Sequence, residues 1–417
     1  MNPTPLGRSA RARLVSLAGG VLLNATPGDA GAEEQPPAES AIPSVEASPA
    51  EPPEAPPEED TRPVDPWASP DVDAWLREQG VEAESTRETV RFNVGGFADV
   101  DLHGSSSGGH GHNEFHIGQL VFHGLADLTR GFGAFMEVSV NSEPKWETRV
   151  ERLLLFWELN DNLKLSMGRH HIPVTWWNST FHHGLWLQTT ARRPVIVGYN
   201  DAFVPNHAVG LNAEGKVPGL ESLGFRYQLG LNGGGDDHLH SGTATTHHAE
   251  LRAAWTAGLF LEPPALPRLR LGAVVFADPL RHREGRLVDE LTVGAHVAYT
   301  SEQPELIAEV VHVRHDVGAL EDGTGAGAFL HWAWYVQAAW RLPGAASAFK
   351  PYARYEALTL DPTGDPTLAS ASGTRLFLAG TRIDATPWLA LKVEGAWRHR
   401  DGTDDTLEAL VQASAAW

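Results

Sequence analysis

The chain has 417 residues, 32 Lys+Arg against 53 Asp+Glu, a formal net charge of −21 and no cysteine. This balance excludes a nucleic-acid binder built on a basic face, and the missing cysteines exclude disulfides, thiolate metal sites and a cysteine nucleophile. Past the first ~25 residues no stretch supplies the ~18 apolar residues of a spanning helix, while 42 Gly and 14 Trp favour a β architecture.

The chain opens with Arg8, Arg11 and Arg13, then a short apolar run from Leu14 to Leu23, then Ala30-Gly31-Ala32. This order reads as a signal peptide, residues 1–32, cleaved after Ala32. Residues 33–66 are almost wholly Pro, Glu, Ala and Ser and carry about −9 of the charge. They cannot bury apolar surface and are expected to form a disordered tether. Residues 67–89 form a short periplasmic segment. A helix there would start at Ser69-Pro70 and stop at Gly80, with Val72, Trp75 and Leu76 on one face.

From residue 90 onward the pattern has period two. Phe92, Val94, Val100 and Leu102 point one way, and Arg91, Asn93, Asp99 and Asp101 the other. Between Leu330 and Leu342, one face presents Leu330, Trp332, Trp334, Val336, Ala338 and Trp340. The opposite face presents His331, Ala333, Tyr335, Gln337 and Arg341. Such alternation marks strands with one apolar and one polar face. Sixteen are expected, near 90–102, 114–126, 131–141, 147–159, 162–170, 206–217, 222–232, 246–258, 267–277, 288–299, 304–315, 328–341, 349–360, 372–384, 387–399 and 406–417. The facing of 115–126, 304–315 and 349–360 is ambiguous, because both faces carry apolar residues.

Connections after even strands are mostly short, as at 127–130, 160–162 and 385–386. Those after odd strands are mostly long and rich in Gly, Ser, Asp or His, as at 103–113, 171–205 and 233–245. A sheet with turns at one end and loops at the other suits an outer-membrane barrel; a soluble Greek-key sandwich has no reason for it. In lipid every backbone polar group must be paired, so such a sheet must close. The expectation is an all-β, 16-stranded antiparallel transmembrane β-barrel over 90–417. Its apolar stripe meets lipid and its polar stripe meets water. The alternating segment ending at Trp417 resembles the signal read by barrel-assembly machinery.

Three segments add a family resemblance. Phe92-Asn93-Val94-Gly95-Gly96-Phe97-Ala98-Asp99-Val100 resembles the opening strand of the phosphate-selective (O/P-type) porins. Leu165-Ser166-Met167-Gly168-Arg169-His170-His171-Ile172-Pro173 resembles that family's strand ending in a glycine, a basic residue and a proline. Tyr227-Gln228-Leu229-Gly230-Leu231-Asn232-Gly233 resembles its strand ending in Asn-Gly. The resemblance implies a 16-stranded barrel, a homotrimer, and a third long loop folded into the bore, here His171–Pro205.

The expected inward face is mixed in charge: Arg226, Arg270 and Lys392 against Asp99, Asp101, Glu137, Glu309 and Glu394. That mixture does not make an anion-selective ladder. His182, His183, Arg192 and Arg193 are the constriction-loop candidates, with the two arginines as anion contacts. The 20 histidines cluster. His110 and His112 in one expected loop, and His238 and His240 in another, are candidate ligands for a weakly bound divalent metal; no other cofactor is implied. Gly104-Ser105-Ser106-Ser107-Gly108 matches G-x-S-x-G, but no helix is expected to follow it, so it is not a nucleophile elbow. No enzyme is implied. The reading is an outer-membrane porin passing small hydrophilic solutes or ions. Its partners are outer-membrane lipids and the assembly machinery, and its tether lies in the periplasm. A metal-associated channel with His-rich external loops and a phosphate- or anion-selective porin are the alternatives.

Overall fold

A computed structural model describes residues 90–107, 110–129, 131–142, 146–182, 184–197, 203–233, 253–281, 287–319, 326–361, 365, 368 and 371–417. The signal peptide, tether and periplasmic segment lie outside the described residues, as do His183, His238 and His240.

Sixteen strands are described: β1 Arg91–Ser107, β2 His110–Thr129, β3 Phe132–Asn141, β4 Glu147–Asn160, β5 Leu163–His171, β6 His207–Lys216, β7 Phe225–Gly233, β8 Ala253–Leu261, β9 Leu269–Arg281, β10 Leu287–Thr300, β11 Glu305–Val317, β12 Gly327–Ala339, β13 Phe349–Thr359, β14 Thr374–Thr386, β15 Leu389–Arg400 and β16 Thr406–Ala416. Each pairs antiparallel with its chain neighbours, and β1 pairs with β16 to close the barrel. The seam runs from Phe97 opposite Ala416 to Ser107 opposite Thr406. Beyond it, Gly96 and Trp417 exchange both backbone hydrogen bonds at 3.1 Å. Gly96 is required there, because a Cβ would stand 2.4 Å from the Trp417 ring and from the Val121 carbonyl.

The period of two has a direct counterpart. On β12, Leu330, Trp332, Trp334 and Val336 are exposed on the outer face, while His331, Ala333, Tyr335, Gln337 and Ala339 are buried inside. The outer apolar side chains have no protein partner layer, as expected of a surface that meets acyl chains. Exposed aromatics stand near both barrel ends: Trp255, Trp332 and Trp397 at the long-loop end; Phe132, Trp157, Trp340 and Trp388 at the short-turn end. Phe132 and Trp157 stack at 5.0 Å.

Two expectations are corrected. Residues 103–113 do not form a loop: β1 and β2 continue as a tall hairpin to Ser107 and His110, so His110 and His112 lie on β2. The Gly-Ser run is held extended because β2 and β16 pair with it from both sides. The eighth strand, described over Ala253–Leu261, runs on past the expected end at 258; residues 246–252 lie outside the described residues. Gly258 does not end it, since Gly258 and the three residues after it continue the ladder with β7 to Phe225–Leu261.

The main hydrophobic core lies inside the barrel. The β5–β6 connection contributes Ile172, Val174, Trp176, Trp177, Phe181, Ile196, Val197, Phe203 and Val204. The wall answers with Phe260, Val274, Phe276, Ile307, Val311, Val313 and Tyr335. This explains the ambiguous facing of β11, whose inner face carries Ile307, Val311 and Val313 to meet the loop. Full burial of one such side chain contributes ~1.5–3 kcal/mol, so the docked loop is a substantial part of the fold.

Candidate functional site

The connection from Ile172 to Asn206 is the inserted element. Its neck is closed by the Ile172 N–H donating to the Asn206 carbonyl at 3.0 Å. A short helix follows, α1 Trp176–Phe181, whose N-cap Thr175 accepts at Oγ1 from the Asn178 N–H (3.1 Å). Asn178 then donates from Nδ2 to the carbonyls of Ile172 (2.8 Å) and Asn206 (2.9 Å), which locks the helix to the neck.

The wall holds this loop with charged groups. Glu309 accepts from the N–H groups of Trp176 (2.6 Å) and Trp177 (3.0 Å) and from the Tyr335 hydroxyl (2.5 Å). Glu305 accepts from the Thr189 hydroxyl (2.9 Å), Gln337 Nε2 (2.8 Å) and Lys350 (3.1 Å). Glu394 accepts from the Ala191 N–H and the Tyr352 hydroxyl, both at 3.0 Å, and from Arg192 at 2.5 Å. Arg192 also pairs with Glu408. Hydrogen bonds to ionised groups are about twice as strong as neutral ones, and here they tether a loop across the bore to β11, β13, β15 and β16.

Wall cations complete the grip. Lys350, Arg382 and Lys392 stand opposite one another on β13, β14 and β15. Arg382 donates to the carbonyls of Trp186 (2.5 Å) and Gln188 (2.9 Å). Lys392 donates to the carbonyls of Leu185 and Thr190, the latter at 3.0 Å. Arg354 reaches Thr190 Oγ1 (2.8 Å) and the carbonyls of Arg192 (3.0 Å) and Arg193 (2.9 Å). A row of basic residues therefore exists, but Arg354, Arg382 and Lys392 are turned onto loop carbonyls, and Lys350 onto the carboxylates of Glu302 and Glu305.

The sequence candidates fall into three groups. Glu309, Lys392, Glu394 and Arg192 converge on the loop–wall contact, as does Arg193, which donates to the His182 carbonyl (2.8 Å) and to Gln119 (3.0 Å). The two arginines are thus engaged by the protein rather than displayed as an exposed pair. Asp99 lies at the edge of that contact, beside Lys392 and Arg193, while Asp101, Glu137, Arg226 and Arg270 lie elsewhere on the wall. Asp99 accepts from the Gln119 N–H (3.3 Å), Glu137 from Arg152 (2.5 Å), and Arg270 pairs with Glu262 (3.1 Å). His112 is exposed near the β2 tip beside the Glu114 carboxylate, not gathered with other described histidines into a metal-sized cluster.

Sequence reasoning missed Lys350, Arg354, Arg382, Glu305, Glu356 and Glu408. A signal was present: Lys350, Arg354 and Glu356 share one parity of a strand, so they share a face.

On the β2–β7 side, several inner-face charges are partly accessible and paired with opposite signs, although Glu137 and Glu151 are buried. Examples are Arg149–Glu147 (2.7 Å) and Lys164–Glu214 (3.0 Å). At the β4–β5 turn, Lys216 donates to Asp161 at 2.6 Å and holds its carboxyl below the usual carboxylate range.

Sixteen antiparallel strands closed edge to edge, with one long connection turned into the lumen, define a porin-type barrel. Solved structures share this fold. An anion-selective porin from Comamonas acidovorans matches with a TM-score of 0.58 at 13% identity, covering 79% of this chain and 100% of that one. The outer membrane channel DcaP of Acinetobacter baumannii matches at 0.54 with 13% identity, covering 80% and 99%. The trimer form of OmpT from Vibrio cholerae matches at 0.53 with 12% identity, covering 79% and 100%. No protein-family model and no curated protein matches the sequence.

Proposed function

We propose that the protein is an outer-membrane porin, a passive channel for small hydrophilic solutes or ions. The observation that carries this reading is the closed barrel with opposed faces: apolar and exposed outside, polar inside, with a loop bound across the lumen. Such a cylinder satisfies its backbone within a bilayer and leaves a path for water. The inserted loop sets the narrowest section.

Selectivity is weak on this reading. Basic side chains on β13–β15 hold the loop, and those on the β2–β7 side are matched by carboxylates, so no strong field of one sign develops. Membership of the phosphate-selective family rests on the three motif resemblances alone, and the engaged state of Arg354, Arg382 and Lys392 argues against an anion ladder. A homotrimer is the assembly proposed, from that resemblance and the trimer form of the Vibrio cholerae neighbour. Outer-membrane lipids surround it, and the assembly machinery inserts it. The Gly104–Ser107 part of the G-x-S-x-G match is pleated in β1, not in a strand–turn–helix elbow.

Planar-bilayer recording of the purified protein is the test. Stepwise conductance with a small reversal potential in a salt gradient is expected. A protein that is monodisperse in buffer without detergent and adds no conductance would refute the reading.

A further inference from the structure

Beyond the channel reading, the loop neck gathers three histidines from three elements. His171 is the last residue of β5 and His207 the first of β6, and they are cross-strand partners. His182 follows α1 as its C-cap residue and comes back to meet them. The ring centroids of His171 and His182 are 4.6 Å apart, those of His171 and His207 4.9 Å, and those of His182 and His207 4.6 Å. One ring nitrogen from each lies within 4.8 Å of the others. His182 and His207 are buried and His171 is half-buried. The buried carboxylate of Glu151 on β4 stands 3.5 Å from His207 Nε2, holds a hydrogen bond from the Ser139 hydroxyl (2.5 Å), and lies 4.0 Å from Arg169.

We propose that His171, His182 and His207 bind one borderline-soft divalent metal ion, Zn²⁺ being the type case, and that the ion fastens the inserted loop to the barrel wall. Imidazole nitrogen is a ligand that Zn²⁺, Cu²⁺ and Ni²⁺ accept. Three nitrogens around Zn²⁺ at ~2.1 Å stand about 3.4 Å apart in a tetrahedral site. The rings reach that spacing by side-chain rotation of about an ångström. The framework is already set. The β5–β6 pairing places two ligands, and the Asn178 and Ile172 hydrogen bonds place the helix that presents the third. Glu151 supplies the negative charge that a buried divalent ion needs, as a fourth ligand or as the carboxylate orienting His207.

The other described cluster, His315, His331 and Asp365, fits a metal less well. His315 bridges Asp365 (2.5 Å) and Glu290 (3.0 Å). His331 contacts Asp365 at Nε2 (2.9 Å) and accepts the Asp361 N–H at Nδ1 (3.1 Å). That arrangement is a hydrogen-bonded network whose imidazoles already have carboxylate partners.

The test uses full-length protein in detergent, purified without a histidine tag, stripped with chelator and titrated with Zn²⁺ by calorimetry with metal analysis. One chelator-sensitive ion per chain should bind well below the millimolar range. His182→Ala should abolish that ion while the barrel keeps its heat-modifiable migration on gels. Glu151→Gln should weaken binding by about 10–100-fold. A His110→Ala/His112→Ala variant should retain the ion. If His182→Ala does not fold, Co²⁺ added to the wild type decides. Intense visible bands of a four-coordinate nitrogen site support the proposal; the faint spectrum of a six-coordinate ion overturns it. No uptake tighter than millimolar, or equal uptake by wild type and His182→Ala, also overturns it. Metal uptake is read independently of conductance, so failure here leaves the channel reading standing.

Discussion

Glu309 holds the start of the inserted loop through two of its backbone N–H groups. Replacing it with Ala strips acceptors from two backbone N–H groups and the Tyr335 hydroxyl, all buried. Each buried polar group left unsatisfied costs about 1–3 kcal/mol. Glu309→Ala is expected to release the loop while the barrel persists, read as new protease cleavage confined to residues 172–206. Arg382 and Lys392 act from β14 and β15, three and four strands along the wall, through four loop carbonyls. An Arg382→Ala/Lys392→Ala variant should show larger and noisier single-channel conductance than wild type. Unchanged conductance would mean that these contacts do not set the aperture.

At the scale of elements, close backbone approach decides what can be substituted. Gly294 on β10 lies under the loop, where a Cβ would stand 2.1 Å from the Val174 carbonyl. Gly294→Val therefore forces the loop off the wall or bends β10, and should reproduce the protease sensitivity of Glu309→Ala by steric means. Gly96 meets the same limit at the closing seam. Gly96→Val is expected to yield little or no heat-modifiable barrel on refolding, because the Gly96–Trp417 pair cannot form. The tall β1–β2 hairpin teaches a related lesson: a Gly-Ser run has low strand propensity, yet neighbours on both sides impose the extended state.

For the whole molecule, the interior divides in two. From β8 to β13 the wall packs apolar side chains against the loop, while on the β2–β7 side charged groups such as Arg149 and Lys164 remain partly accessible. Solute passage is accordingly expected along the β2–β7 side. Replacing Arg149 and Lys164 with Glu should shift the reversal potential toward cation preference, whereas the same exchange at Ser347, in the short β13-side turn, should leave it unchanged. The barrel and its strand count were legible because alternation is local: Leu330 through Arg341 declare their faces two residues at a time. The loop's destination was approachable only through resemblance. Its anchors Glu305, Arg354 and Arg382 read as ordinary inward charges until a segment 116 to 196 residues distant in sequence is brought against them.

The order of residues alone determined a closed antiparallel cylinder, since alternating faces in lipid leave no other way to pair the backbone. Tertiary structure alone decided what the interior holds. Side-chain parity says which residues point inward, but not which of them meet water, a carbonyl or one another. That depends on where one long connection folds, and so do the engaged row of Lys350, Arg382 and Lys392 and the meeting of His171, His182 and His207.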